Sequence, residues 1–376
     1  MNFNDFNMSG IEVIEKTDHF IIKRYKNYFR LGTQEANMII DILETNDESY
    51  LLEKYHLTID ELNNFLLALQ EAGIIGERKK EKKNLLFYKV PVFNPDRLLT
   101  KINELFFQNR IINYCLLIFI TLTIILGFIQ FSFNFFEITT SFLKGFGFKE
   151  YVLFYIATIG TVFLHELGHA IVCKHYNGKV DEIGFLLIFF SPALYCDVSG
   201  IWAFEKKKHK IFTLLAGILV QLIMFAVMTI LYVVYFNDSN WLATFICWNL
   251  MMIFSNIIPV IKLDGYWILS NLIEIPNLYE KSLKLALGVK DNILFNEREI
   301  AKSNFIKWFG IFNISFVFVS LIFGFIGIYY ISITLEGPFK YVAITVEVIM
   351  YTLILVLFGG LLLKIIKFKA QQHQKG

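Results

Sequence analysis

The sequence predicts a mainly α-helical, polytopic membrane protein with about six transmembrane helices and a small N-terminal α+β unit of winged-helix-like pattern. Three observations predict this. Of the 376 residues, 56% are hydrophobic and 18% charged, against about half and about a quarter in an ordinary soluble domain. From Ile111 onward the apolar residues gather into long runs, and about 20 such residues let a helix cross a bilayer. Before Ile111 the composition is that of a soluble domain. The formal net charge of +2 says little by itself, but the charges are unevenly distributed.

The N-terminal unit is expected to occupy residues 1–76. Over residues 18–31, Phe20, Ile22, Tyr25, Tyr28 and Phe29 fall in the alternating pattern of short strands. A helix is predicted over 34–44, where Ala36, Ile39, Ile40 and Leu43 share a face, and a short one near Tyr50–Tyr55. The third helix, over 59–72, has the clearest signals. Thr58 and Glu61 form a capping box, Leu62, Phe65, Leu66 and Leu69 make the apolar stripe, and Gly73 ends it. Strands followed by three helices give the winged-helix pattern. The helix that would read DNA carries Asp60, Glu61 and Glu71 and no Lys or Arg, so nucleic acid is excluded as a partner.

Residues 77–110 read as a linker. Arg78, Lys79, Lys80, Lys82 and Lys83 form a basic run suited equally to solvent or to anionic headgroups. Leu98, Leu99, Ile102, Leu105 and Phe106 predict an interfacial helix over 95–108. The spans that follow are expected at 111–132, 151–173, 211–236, 241–260, 306–333 and 341–364. Met1 to Gly10 has neither a basic start nor an apolar core, so no signal peptide is expected. Lys and Arg concentrate before the first span, in Lys206–Lys210, between Lys262 and Lys307, and in the C-terminal tail, whereas the alternate loops are poorer. The positive-inside rule then predicts both termini in the cytoplasm of a cell membrane, a parity that six spans satisfy. Cys115, Cys173, Cys196 and Cys247 lie in or beside apolar runs without a CxxC pair. This argues against thiolate zinc and a disulfide framework and for small buried hydrophobes.

The chemistry lies in His165-Glu166-Leu167-Gly168-His169, inside the second span. Residues four apart on a helix differ by about 40° and about 6 Å along the axis, so both imidazoles can converge on one Zn²⁺. The adjacent Glu can take a proton from the attacking water. Ionisable groups are costly inside a membrane, and three within five residues point to function rather than packing. Two residues compete for the place of third ligand. His175 has metzincin spacing, but Val172 stands where that motif needs a helix-breaking Gly. A continuous helix points His175 about 120° from His169, which favours an interfacial role. Asp264 follows a span broken at Pro259 and precedes Gly265, with Asn256 as a polar group before the break. Broken backbone at membrane depth is tolerated where it is buried or lines a cavity, so Asp264 reads as a ligand or ion-path residue, with a surface loop aspartate as the alternative.

HExxH in one span with Asn256-x-x-Pro259-x-x-x-Leu263-Asp264-Gly265 at the end of a later one resembles the site-2 protease family of intramembrane zinc metalloproteases. The likeness covers roughly 150–275, the expected catalytic core of a protease domain at 111–369. It implies His165, His169 and Asp264 as zinc ligands, Glu166 as general base, and Asn256 as organiser of the Asp264 loop. Many relatives carry Gly-Pro and an Asn in the intervening span, where this chain has Ala216-Gly217-Ile218-Leu219-Val220-Gln221. Gln221 stands in the place of that Asn as a contact near the scissile carbonyl. No stretch is long enough for a PDZ or CBS domain. The stretch 180–204, broken by Gly184, Pro192 and Gly200, fits a membrane-dipping hairpin whose strand edge pairs with substrate. The string Ser191–Ser199, with Asp264–Ser270 and Glu274–Asn277, resembles the peptide zinc metalloproteases found beside bacterial modified-peptide genes. Asp197 and Cys196 in it either support the site or simply form a turn.

Tyr28-Phe29-Arg30-Leu31-Gly32, Glu35–Ile39, Leu62 and Leu69–Ile75 resemble PqqD-like peptide-recognition domains, over residues 18–76. Together the resemblances imply a zinc metalloendopeptidase that cuts a ribosomally made precursor or leader peptide, modified or not, for maturation or release. The partners they imply are that peptide, the lipid bilayer and a peptide-modifying enzyme or exporter. One rival is regulated cleavage of a membrane-anchored anti-sigma factor, disfavoured by the missing PDZ domain. Another is a non-enzymatic export or immunity factor with a structural metal, disfavoured by the intact Glu166.

Overall fold

A computed structural model describes residues 8–15, 20–25, 27–45, 47–76, 87–107, 109–144, 147–188, 191–289, 297–334 and 338–373. The basic run Arg78–Lys83 lies outside the described residues. The chain is mainly helical and forms two compact units, Met1–Ile257 and Ile258–Gly376.

The first unit opens with an antiparallel sheet of β1 (Ile11–Glu15), β2 (Phe20–Arg24) and β3 (Asn27–Leu31), in that order. Glu12, Lys23 and Tyr28 form one row across it. Three helices follow: α1 (Thr33–Thr45), α2 (Glu48–Tyr55) and α3 (Ile59–Ala72). Their core joins Ile22 to Met38, Ile39, Ile42, Leu51, Leu62, Leu66 and Leu69. The capping box at Thr58 and Glu61 is present, and Gly73 ends α3 at φ 82°, a conformation that costs glycine least. Arg24 is fully buried and donates to the carbonyls of Gly73 and Gly76, fastening the end of α3 to the sheet.

Between this region and the first long helix lie β4 (Phe87–Phe93) and α4 (Asp96–Phe107). The strand was not expected. It pairs antiparallel with β5 (Ile183–Ile188), which pairs with β6 (Ser191–Cys196), so the hairpin expected at 180–204 is part of a three-stranded sheet. A short 3₁₀ turn, Ser199–Ala203, follows β6. Helix α4 buries Leu99 and exposes Leu98, Leu105 and Phe106. Its Asp96 grips Lys174 at 2.8 Å, and its Asn103 lies 3.2 Å from His175.

The further helices of this unit are α5 (Arg110–Phe133), α6 (Phe135–Leu143), α7 (Phe148–His175), α8 (Lys207–Tyr235) and α9 (Asn240–Ile257). Small residues set their spacing, as they do between membrane helices generally. A side chain at Gly127 would run into Ala226 of α8, and a Cβ at Gly168 would lie 3.0 Å from the Ala216 carbonyl oxygen. The second unit holds α10 (Asp264–Ile273), α11 (Leu278–Ala286), α12 (Glu297–Ala301), α13 (Ser303–Thr334) and α14 (Pro338–His373). Tyr266, Ile275, Leu278, Ile306 and Phe309 form one of its cores.

Five helices among the described residues are long and apolar enough to cross a membrane: Arg110–Phe133, Phe148–His175, Lys207–Tyr235, Ser303–Tyr329 and Glu347–Lys367. That is the composition of a multi-pass membrane protein. The remaining expected span, 241–260, corresponds to α9, which differs from the others. It has 18 residues, carries Asn240, Asn249 and Asn256, and stops two residues before Pro259. Leu242, Phe245, Ile246, Asn249 and Ile253 are buried, and Asn249 donates to the Gln221 carbonyl at 3.0 Å.

Thr58→Ala removes one half of the capping box, worth about 1 kcal/mol. Amide exchange over Ile59–Ala72 is expected to accelerate about fivefold, measured by hydrogen–deuterium exchange, with the long helices unchanged.

Candidate metal centre

The pair at four-residue spacing on α7 behaves as helical geometry requires. His165 and His169 are both buried, and their Nε2 atoms lie 3.1 Å apart. Two nitrogens at zinc bond lengths of about 2.0–2.1 Å in a tetrahedron are about 3.3 Å apart, so the pair is already set close to that edge. His169 Nδ1 lies 2.7 Å from the Thr213 carbonyl. A carbonyl can only accept, so Nδ1 carries the proton and Nε2 presents its lone pair. Fixing a ligand histidine through its other nitrogen is a common way to set tautomer and orientation.

Space for an ion comes from α8. A Cβ at Gly217 would collide with Nε2 of His169 and with the His165 ring. Gly217 thus leaves open the volume on which the two imidazoles converge. Asp264 begins α10, after Leu263 in extended conformation. A carboxylate in the first turn of a helix is stabilised in its charged form. One ligand atom each from His165, His169 and Asp264 lie within 4.8 Å of one another. This donor set, two imidazoles and one carboxylate with a further position open, suits zinc in a catalytic site. The three residues form the candidate metal site.

Glu166 accepts a hydrogen bond from the Cys196 backbone N–H at 2.9 Å. The end of β6 is thereby fixed beside the carboxylate that follows the first histidine. Burial, and then the neighbouring Glu166, push the Cys196 thiol well above its ordinary pKa, so it remains a neutral small group. Asp197 forms the turn: its Oδ1 accepts from the backbone N–H and the hydroxyl of Ser199, and its N–H donates to the Glu182 carbonyl. Gln221 is buried, and its Oε1 accepts from Asn256 Nδ2 at 2.9 Å. These two residues, expected to act separately, are joined in a clip where α9 ends. His175, the rival ligand, is held by Asn103 and packs on the Phe107 ring at 5.0 Å. Sequence reasoning missed the Thr213 carbonyl, and it named Gly217 only within the stretch Ala216–Gln221, without the space that it leaves for the imidazoles.

No protein-family model and no solved structure matches the chain. Over 143 residues it is 31% identical to a zinc metalloprotease of Methanocaldococcus jannaschii, covering 37% of this chain and 39% of that protein. The chain therefore matches about two fifths of that relative's length.

Gly217→Val fills the volume between the imidazoles. Zinc content of the purified protein, measured by elemental mass spectrometry, is expected to fall to a small fraction of wild type, with helix content unchanged by circular dichroism.

Proposed function

We propose that this chain is an intramembrane zinc metalloendopeptidase of site-2 protease type, with His165, His169 and Asp264 as ligands and Glu166 as general base. The observation that carries the reading is the convergence of those three ligand side chains beside a glutamate already engaged in hydrogen bonding to a strand end. The similarity to a zinc metalloprotease supports it.

The residues divide the work as follows. Zinc, when bound, supplies Lewis acidity to the scissile carbonyl and the attacking water. Glu166 takes the proton from that water and returns it to the leaving amine. The Thr213 carbonyl keeps the His169 ring from turning its lone pair away. The Gln221–Asn256 clip fixes the end of α9, from which the chain runs through Pro259 to Asp264. Strand β6 lies at the edge of its sheet, so its outer backbone can take an extended peptide as an added strand. With Cys196 tied to Glu166, a peptide paired along β6 is led toward the general base.

The proposed substrate is a ribosomally made precursor peptide. The N-terminal unit supplies recognition: β3 is an edge strand, and a cleft of about 340 Å³ beside it is lined by Tyr28, Phe29, Ala72 of α3, and Trp202. An open strand edge next to aromatic walls has the chemistry to hold an extended leader segment. An enzyme that modifies the peptide or an exporter that carries it would share this partner. Both termini are proposed to lie in the cytoplasm.

Glu166→Gln removes the base and leaves the ligands. Zinc content is expected to stay at wild-type level while cleavage falls by about 10²–10⁴-fold. Short precursor peptides should then co-purify with the variant and be identified by mass spectrometry. Unchanged cleavage with zinc bound would refute the protease reading, and recovery of transmembrane anti-sigma fragments would replace the substrate.

A further inference from the structure

A second cleft, of about 510 Å³, lies outside the metal centre. One wall is the outer row of the N-terminal sheet, with Lys23 and Tyr28. The other is formed by Tyr176 and Lys179 after α7, Phe204 and Lys206 after the 3₁₀ turn, and His209 in the first turn of α8. These second-wall residues flank one candidate span ending at His175 and another beginning at Lys207. The cleft therefore sits at the level where two membrane helices end.

Its charges are unequal in availability. Of the lining carboxylates, Glu12 is held by Lys23 at 2.9 Å and Glu205 is exposed. Lys179 and Lys206 have no ion-pair partner among the described residues. The cleft wall also opens the run Lys206-Lys207-Lys208-His209-Lys210, basic at every position. Such clusters beside a membrane helix attract anionic headgroups. Lys206 is the N-cap of α8 and offers no capping oxygen, so the positive end of a 29-residue helix reinforces the same wall. His209 is stacked flat on Tyr176, ring centroids 4.0 Å apart at 6°, which fixes a ring nitrogen at a defined place.

We infer that this cleft binds a phosphate group, with Lys179, Lys206 and His209 as its contacts, and that an anionic phospholipid headgroup is the natural bearer. The occupant would touch three segments that also hold the metal centre. Tyr176 ends the helix that carries His169. Lys206 follows the turn that begins three residues after Cys196, the group bound to Glu166. His209 lies one turn before Thr213, whose hydroxyl donates to the His209 carbonyl and whose own carbonyl fixes His169. A headgroup in the cleft thus clamps the end of α7, the segment after the 3₁₀ turn and the start of α8 together. The binding does not rest on the protease reading.

The test uses the full-length protein in nanodiscs of phosphatidylcholine, with or without phosphatidylglycerol, and in detergent with inorganic phosphate. Native mass spectrometry reads retained lipid, and thermal unfolding reads stabilisation. Wild type should retain phosphatidylglycerol, Lys179→Gln/Lys206→Gln should lose about fivefold or more of it, and Lys179→Arg/Lys206→Arg should keep it. Stabilisation by inorganic phosphate, lost in the glutamine variant and without lipid retention, would support the site with a soluble bearer. Equal retention and equal stabilisation in wild type and the glutamine variant would overturn the proposal. Zinc content measured on the same samples separates damage to the metal centre from loss of the headgroup site.

Discussion

The candidate site depends on how closely α7 and α8 approach. Gly168 lets α7 come down onto the backbone of α8 at Ala216, and Gly217 leaves room for the two imidazoles on the other side of that contact. At that distance the Thr213 carbonyl reaches His169 Nδ1. A larger residue at Gly168 would move the helices apart and the carbonyl with them, so the orientation of the histidine is a consequence of helix spacing. The motif His-Glu-x-x-His supplies the donors, but a second helix determines which nitrogen faces the ion.

An apolar bundle makes each polar group answer for its burial. The bundle's response is a set of short, closed interactions. Asn249 donates to a helix carbonyl, Asn256 donates to Gln221, and Glu166 accepts from a strand end. The same interactions place machinery. Glu166 orients β6, and the Gln221–Asn256 pair sits where α9 gives way to the Pro259 break. β4 covers the opposite edge of the hairpin, so β6 is an outer strand of that sheet among the described residues.

What was legible in the sequence follows from the range of the physics involved. The capping box at Thr58 and Glu61, the stop at Gly73 and the four-residue pairing of His165 with His169 are local, and each was readable from its own neighbourhood. The importance of Asp264 was readable from a Pro and a Gly that break a helix at the depth of a membrane. Strand β4 was not readable: its seven residues include Lys89 and Pro91, and its partner lies about ninety residues away. Strand β1 is short, and its pairing with β2 decides its conformation more than its own pattern does. The expected span at 241–260 was read from apolarity alone. Three asparagines in the 18-residue helix found there, with one buried against Gln221, give it a different balance from its neighbours. Gln221 was read as a substrate contact from the Asn that relatives carry in that span; its bond to Asn256, 35 residues on, leaves no mark in the local pattern.

Charge balance adds a constraint that none of these residues meets alone. A divalent ion among apolar helices is costly unless opposite charge lies close to it. The histidines contribute none, because Nδ1 of His169 keeps its proton for Thr213 and a ligand histidine binds as the neutral ring. Asp264, in the first turn of α10, and Glu166, hydrogen-bonded to a backbone amide, are the carboxyl groups that the chain brings to the candidate site. On the proposed reading, two carboxylates would match the two charges of a divalent ion, one as ligand and one as base. A break at Pro259 that delivers Asp264 is therefore as necessary to the site as the His-Glu-x-x-His helix. Without it, two neutral rings and one carboxylate would leave a bound divalent ion with one charge uncompensated in a medium where that charge is poorly screened.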